Sequence, residues 1–213
     1  LRLGSSIISI YPQRVARLYF WRDGFFFVIL SLSYPIYSVA DIYVADYYEG
    51  KVSTYDEITF KPINTSLITG LNKPTAITIG GDGNIYVFEE GLFVLSKYNS
   101  STGQVISRGF ITTDGPAYGV AIDESGYIYI SEFTRDRVRK YSNSGEHISA
   151  WSLDVTSPTA LIIDGKSNIY VSQYSQGTVI KYTISDHGGN EKFRIDGLSY
   201  PFGLSTSEGA LYI

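Results

Sequence analysis

The feature that most limits what this chain can fold into is a repeat of about 42 residues. An aliphatic-Tyr-aliphatic triplet recurs as Ile42-Tyr43-Val44, Ile85-Tyr86-Val87, Ile128-Tyr129-Ile130, Ile169-Tyr170-Val171 and Leu211-Tyr212-Ile213, with the tyrosines 43, 43, 41 and 42 residues apart. A second series keeps the same step. Pro74, Pro116, Pro158 and Pro201 lie 42, 42 and 43 apart, each followed closely by a small residue, Ala76, Gly119, Ala160 or Gly203. Two markers on one period identify a repeat architecture, in which each unit buries its apolar faces only by stacking on its neighbours.

The repeat that starts at Pro116 divides into four short strands. Val120 to Asp123 is the first, and Asp123-Glu124-Ser125-Gly126 turns the chain into the second, Tyr127 to Ser131. A polar loop leads to the third, Arg137 to Tyr141. Asn143-Ser144-Gly145 turns it into the fourth, Glu146 to Leu153. No window keeps a helical period, and the 19 tyrosines, with frequent Ile, Val, Thr, Ser and Gly, are the vocabulary of strands and turns. The expected fold is therefore all-β: a β-propeller of four-stranded antiparallel blades.

Composition removes several functions. There is no cysteine, which excludes a disulfide framework, a thiolate nucleophile and Cys-containing zinc sites. A net charge of −4 without a sustained basic stretch argues against a nucleic-acid partner. The two histidines, His147 and His187, fall in outer parts of different repeats, and neither a G-x-S-x-G elbow nor a G-x-x-x-x-G-K-(S/T) phosphate loop occurs.

The pattern P-x-G-(V/I)-A-(I/V)-D, G-x-I-Y-(V/I), R-(V/I)-x-K-(Y/F) resembles the NHL repeat across residues 41–213, with looser copies at Leu161-Ile162-Ile163 and Leu204-Ser205-Thr206. The resemblance implies a ring that is typically six-bladed. Residues 41–213 supply about four blades at about 42 residues each, so the expectation is an array truncated within a repeat. It leaves function open, because such blades serve binding proteins and enzymes alike.

Two readings stand for residues 22–40. Arg22, the apolar run Phe25 to Leu32 and the small residues Ser38 and Ala40 fit an export signal removed before Asp41, with residues 1–21 as an upstream extension. Alternatively the segment is a degenerate blade, with Arg14-Val15-Ala16-Arg17 before Pro35 matching Arg137 before Pro158. Export implies a secreted or cell-surface protein with no transmembrane helix in its mature part. It suits the sequons Asn64-Thr65-Ser66 and Asn99-Ser100-Ser101 as glycosylation sites, although Asn99 equally suits a turn.

Candidate site residues follow from the repeat. Three residues after each marker tyrosine stand Asp46, Glu89, Glu132 and Gln173, at equivalent places leaving the second strand. In a propeller such places form a ring. Three carboxylates there suit a hard cation such as Ca²⁺, the one cofactor this sequence suggests; alternatively each caps its own turn. The same channel-mouth face carries Tyr47, Tyr118, Phe133, Arg135, Tyr174 and Phe202, residue types that anchor binding surfaces, and Glu89 and Glu132 count among its binding residues. The first expectation is a non-enzymatic extracellular scaffold that presents this face to a protein, peptide or glycan. The second is a metal-dependent propeller enzyme, of lyase or lactone hydrolase type, using Asp46, Glu89 and Glu132.

Overall fold

A computed structural model describes residues 26–30, 41–165, 167–207 and 210–213. Four antiparallel four-stranded sheets follow one another along the chain. The first holds β1 (Phe26–Leu30), β2 (Asp41–Asp46), β3 (Lys51–Asp56) and β4 (Pro62–Thr69). The second holds β5 (Pro74–Ile79), β6 (Ile85–Glu89), β7 (Val94–Tyr98) and β8 (Val105–Thr112). In the third are β9 (Ala117–Ile122), β10 (Ile128–Glu132), β11 (Arg137–Tyr141) and β12 (His147–Asp154). The fourth has β13 (Pro158–Ile163), β14 (Asn168–Gln173), β15 (Thr178–Ser185) and β16 (Gly188–Ile195), and a two-stranded sheet, β17 (Ser205–Ser207) and β18 (Ala210–Tyr212), follows.

These are the blades of a β-propeller, one per repeat. The strands expected between Pro116 and Leu153 appear with small shifts of their ends, and the loop after β10 adds a 3₁₀ turn, Phe133–Arg135. The expected upstream extension, residues 1–21, lies outside the described residues, as does most of 22–40. Within that segment the backbone of Phe26–Leu30 pairs antiparallel with β2 as the first strand of the first blade.

The marker tyrosines and the lysine of the R-(V/I)-x-K pattern have a shared local role. Tyr86, Tyr129 and Tyr170 stand directly across the sheet from Lys97, Lys140 and Lys181. Each tyrosine hydroxyl reaches back to the aspartate of its own hairpin turn: Asp82 at 2.9 Å, Asp123 at 3.0 Å and Asp164 at 3.2 Å. Each lysine ammonium lies over its tyrosine ring, 5.1 to 5.4 Å from the centroid. The triplet thus ties the first turn of a blade to its third strand through a hydrogen bond and a cation–π contact.

The core sits between blades. One buried cluster joins Tyr129, Val138 and Trp151 of the third blade to Leu161, Val171 and Ile180 of the fourth, and equivalent clusters join first to second and second to third. Trp151 adds a polar tie, its Nε1 donating to Ser185 O in the next blade at 3.0 Å. Nearest the centre, where first strands of successive blades stand side by side, hydroxyls stitch the blades together. Thr75 Oγ1 donates to Ala117 O at 2.6 Å, and Thr159 Oγ1 to Pro201 O at 3.1 Å, both spanning 42 residues. At the intervening place Ala117 has no hydroxyl. Ser131 of the adjacent strand supplies it instead, donating to Thr159 O at 2.7 Å. Gly119 permits this approach, because a Cβ there would lie 2.3 Å from Thr159 O and 2.8 Å from Leu161 N.

The stitch gives a direct test. Thr75→Val keeps the shape but leaves the buried Ala117 carbonyl unpaired, so urea denaturation should show a loss of about 1 to 3 kcal/mol, whereas Thr75→Ser should recover most of it.

Candidate functional site

Successive residues of an extended chain point to opposite sides, and this decides what the channel-mouth face contains. At the end of each second strand two neighbouring residues part company. Asp46, Glu89, Glu132 and Gln173 turn into their own blades, while Tyr47, Glu90, Phe133 and Tyr174, one residue later, face a common cleft.

The placement differs from the expectation for the first set. Glu89 and Glu132 are fully buried and so do not line a binding face. Glu89 accepts from the Asn72 backbone N–H at 2.9 Å and from Ser96 Oγ at 3.2 Å, and pairs with Arg108 at 3.5 Å. Glu132 accepts from Arg137 Nε at 2.6 Å, with Arg139 at 3.6 Å; both arginines also reach Asp114. Gln173 receives Thr178 Oγ1 at 2.8 Å. Asp46 caps its turn, accepting from the N–H groups of Tyr48 and Glu49 at 3.0 and 2.9 Å. For Glu132 and Gln173 the physical reason is the third strand, which begins across from them and offers Arg137 or Thr178 as a partner, whereas Glu89 takes Arg108 from the fourth strand. Among the described residues no three His, Asp or Glu side chains gather as a metal site, so the geometry does not assemble the Ca²⁺ ring drawn from Asp46, Glu89 and Glu132.

The aromatic part of the expectation converges. Tyr47, Tyr118, Phe133, Tyr174 and Phe202 all line one cleft of about 290 Å³. Four of them form a closed circuit of ring contacts: Tyr118 to Phe133 at 5.3 Å, Phe133 to Tyr174 at 6.3 Å, Tyr174 to Phe202 at 6.2 Å and Phe202 to Tyr118 at 5.6 Å between centroids. The planes are steeply inclined, so ring edges meet ring faces, the arrangement favoured by the aromatic quadrupole. Arg135 stays outside: exposed at the end of the 3₁₀ turn, its Nε donates to Asp114 O at 3.2 Å.

Glu90 is the cleft residue that sequence reasoning missed. Its Oε2 accepts from Tyr47 OH at 2.8 Å and its Oε1 from Tyr118 OH at 3.0 Å, linking phenols of the first and third blades through the second. Burial, followed by the Glu90 hydrogen bond and charge, pushes the Tyr47 phenol up to about 12. Tyr118 is raised in the same direction by burial and by the Glu90 charge. Thr75, which stitches the second blade to the third, also lines the cleft, so the wall is continuous with the inter-blade contact.

The remaining candidates lie elsewhere. His147 packs its ring on Tyr141, 5.4 Å between centroids, and burial, then the Arg139 charge, lowers its pKa. Asn64 is exposed on β4, and Asn99 makes the turn after β7, its Oδ1 accepting from the Ser101 and Thr102 N–H groups. No helix among the described residues is long and apolar enough to cross a membrane.

No family model and no curated protein matches the chain. Solved structures do. Virginiamycin B lyase from Staphylococcus aureus superposes with a TM-score of 0.64 at 16% identity, covering 85% of this chain and 60% of that one. A streptogramin B lyase gives 0.63 at 16% identity over 87% and 65%, and Kuenenia stuttgartiensis hydrazine synthase 0.51 at 18% over 62% and 38%. At these identities the likeness is one of fold, a β-propeller. The chain spans about two thirds or less of each of these structures in length.

Two outcomes check the site. Glu132→Ala leaves two arginines without their buried partner. Its cost in equilibrium unfolding should be about 3 kcal/mol, at the low end for a broken buried pair because both arginines keep contact with solvent and Asp114. The second is pH dependence. Tyr47 has a folded-state pKa of about 12, above its ordinary 10.0, so its contribution to stability is complete below about pH 10 and is lost as pH rises towards about 12. Ring-carbon NMR of labelled tyrosine should find Tyr47 still mostly protonated near pH 11, and Glu90→Gln should lower its midpoint without restoring it fully, because burial remains.

Proposed function

We propose that this chain is a non-enzymatic binding propeller of NHL-type blades, exported to the cell surface or the medium, that takes its ligand in the aromatic cleft. The observation that carries the reading is convergence. Side chains from four blades and from the segment entering β17 meet in one concave site, with five rings and one carboxylate. Aromatic anchors around a few fixed polar groups are what recognition sites are built from. The repeat pattern supports the NHL assignment, and the Asn64 and Asn99 sequons support export. A peptide or protein side chain, or a glycan unit, of small size fits a cleft of this volume.

A lyase is the competing reading, favoured by the two lyases that share the fold. In that case Glu90 is the carboxylate placed to move a proton. Incubation with virginiamycin B separates the two: liquid chromatography, which resolves a ring-opened isomer of equal mass, should show the compound unconsumed if the chain only binds, and its consumption would contradict the binding reading.

The cleft itself is tested with the neutral fluorophore N-phenyl-1-naphthylamine, whose emission rises in apolar sites. The wild-type chain should bind it saturably, and Phe133→Ala should weaken binding by about 1 to 3 kcal/mol with little change in melting temperature. Equal binding by the variant would place the site elsewhere.

A further inference from the structure

The electrostatics of the cleft set what kind of ligand it prefers. Among the described lining residues Glu90 carries the only charge; the rest are five aromatic rings and Thr75. The Glu90 carboxylate accepts one phenol on each oxygen, which leaves lone pairs on both for a further donor or a charge contact. A phenol is a neutral donor, so the negative charge is held in place and not cancelled.

Any occupant that fills the cleft removes water from Glu90. An apolar group would leave the charge desolvated with only its two phenol donors, a neutral sugar would offer hydroxyl donors but no opposite charge, and an anion would add repulsion. A cation restores the balance. The rings add to this wherever a face is turned to the ligand, because aromatic faces carry negative quadrupole potential and several rings together bind quaternary or methylated ammonium groups. The Tyr47 ring already attracts one cation from outside the lining, Lys73 Nζ at 5.8 Å from its centroid.

We infer that the cleft is a receptor for an organic ammonium group, with the Tyr118, Phe133, Tyr174 and Phe202 circuit as its aromatic wall and Glu90 as its counter-charge. This rests on the binding reading above, and the two can fail separately. A volume of about 290 Å³ admits a methylated ammonium with a short apolar body.

The test compares two probes of the same shape, benzyltrimethylammonium and its uncharged carbon isostere neopentylbenzene, by displacement of N-phenyl-1-naphthylamine from the full chain. The cation should bind about tenfold or more tightly than the isostere, and Glu90→Gln should cut that preference sharply, to what the rings alone supply, while still binding the isostere. Equal affinity of the two probes for the wild-type chain overturns the ammonium assignment and leaves the binding reading standing. A preference that Glu90→Gln leaves undiminished overturns the role of Glu90. Failure of the fluorophore and both probes to bind at all overturns the binding reading itself. The wild-type comparison needs no variant, so it decides the ligand class even if Glu90→Gln fails to fold.

Discussion

Every part of this structure depends on the packing of one blade against the next. A four-stranded sheet with Ile, Val and Tyr on both faces cannot bury itself, and the largest buried side chains, Trp151, Tyr129 and Phe88, belong to clusters that draw on two blades. Apolar contact alone tolerates sliding. The hydroxyl-to-carbonyl bonds of Thr75, Ser131 and Thr159 do not, because each is a directional bond to a backbone carbonyl of the next blade in a buried interface. They fix how far one blade is rotated and shifted against its neighbour, and so they place the second-strand ends around the channel mouth.

That placement separates structural from ligand-facing chemistry by a single residue. The acids at Glu89 and Glu132 serve their own blades by holding the arginines of the following strands, and the residues directly after them form the cleft. A blade that needs an inward polar partner and a site that needs outward anchors are thereby served by adjacent positions of one strand end. Glu90 bridges the two functions, since its phenol partners lie on the blades before and after its own.

The repeat, the strand order and the aromatic members of the cleft were legible in the sequence because each leaves a periodic trace. Tyr47, Phe133 and Tyr174 fall four residues after their marker tyrosines, and Tyr118 and Phe202 closely follow the marker prolines. Glu90 falls on the same trace, four residues after Tyr86, and was missed because only aromatic types were picked out at that place and the acid before it, Glu89, was taken for the ligand-facing one. The partners of Glu132 were hidden for a related reason: Arg137 and Arg139 suggest a solvated edge until their cross-strand register is known. The inter-blade hydroxyls were invisible because the periodic place holds Thr, Ala and Thr, and Ser131 fills the gap from a different strand. The segment 26–30 shows the limit of composition, because one apolar run suits both an export signal and a first strand.

The walls of the cleft come from different blades and are coupled through Glu90. A double-mutant cycle on unfolding free energy, with Tyr118→Phe and Glu90→Gln singly and together, measures that coupling directly. A blade-to-blade hydrogen bond to a charged group predicts a coupling of about 1 kcal/mol or more. Additive effects, within about 0.3 to 0.5 kcal/mol, would mean that the second and third blades do not meet at this carboxylate, and would contradict the site as described.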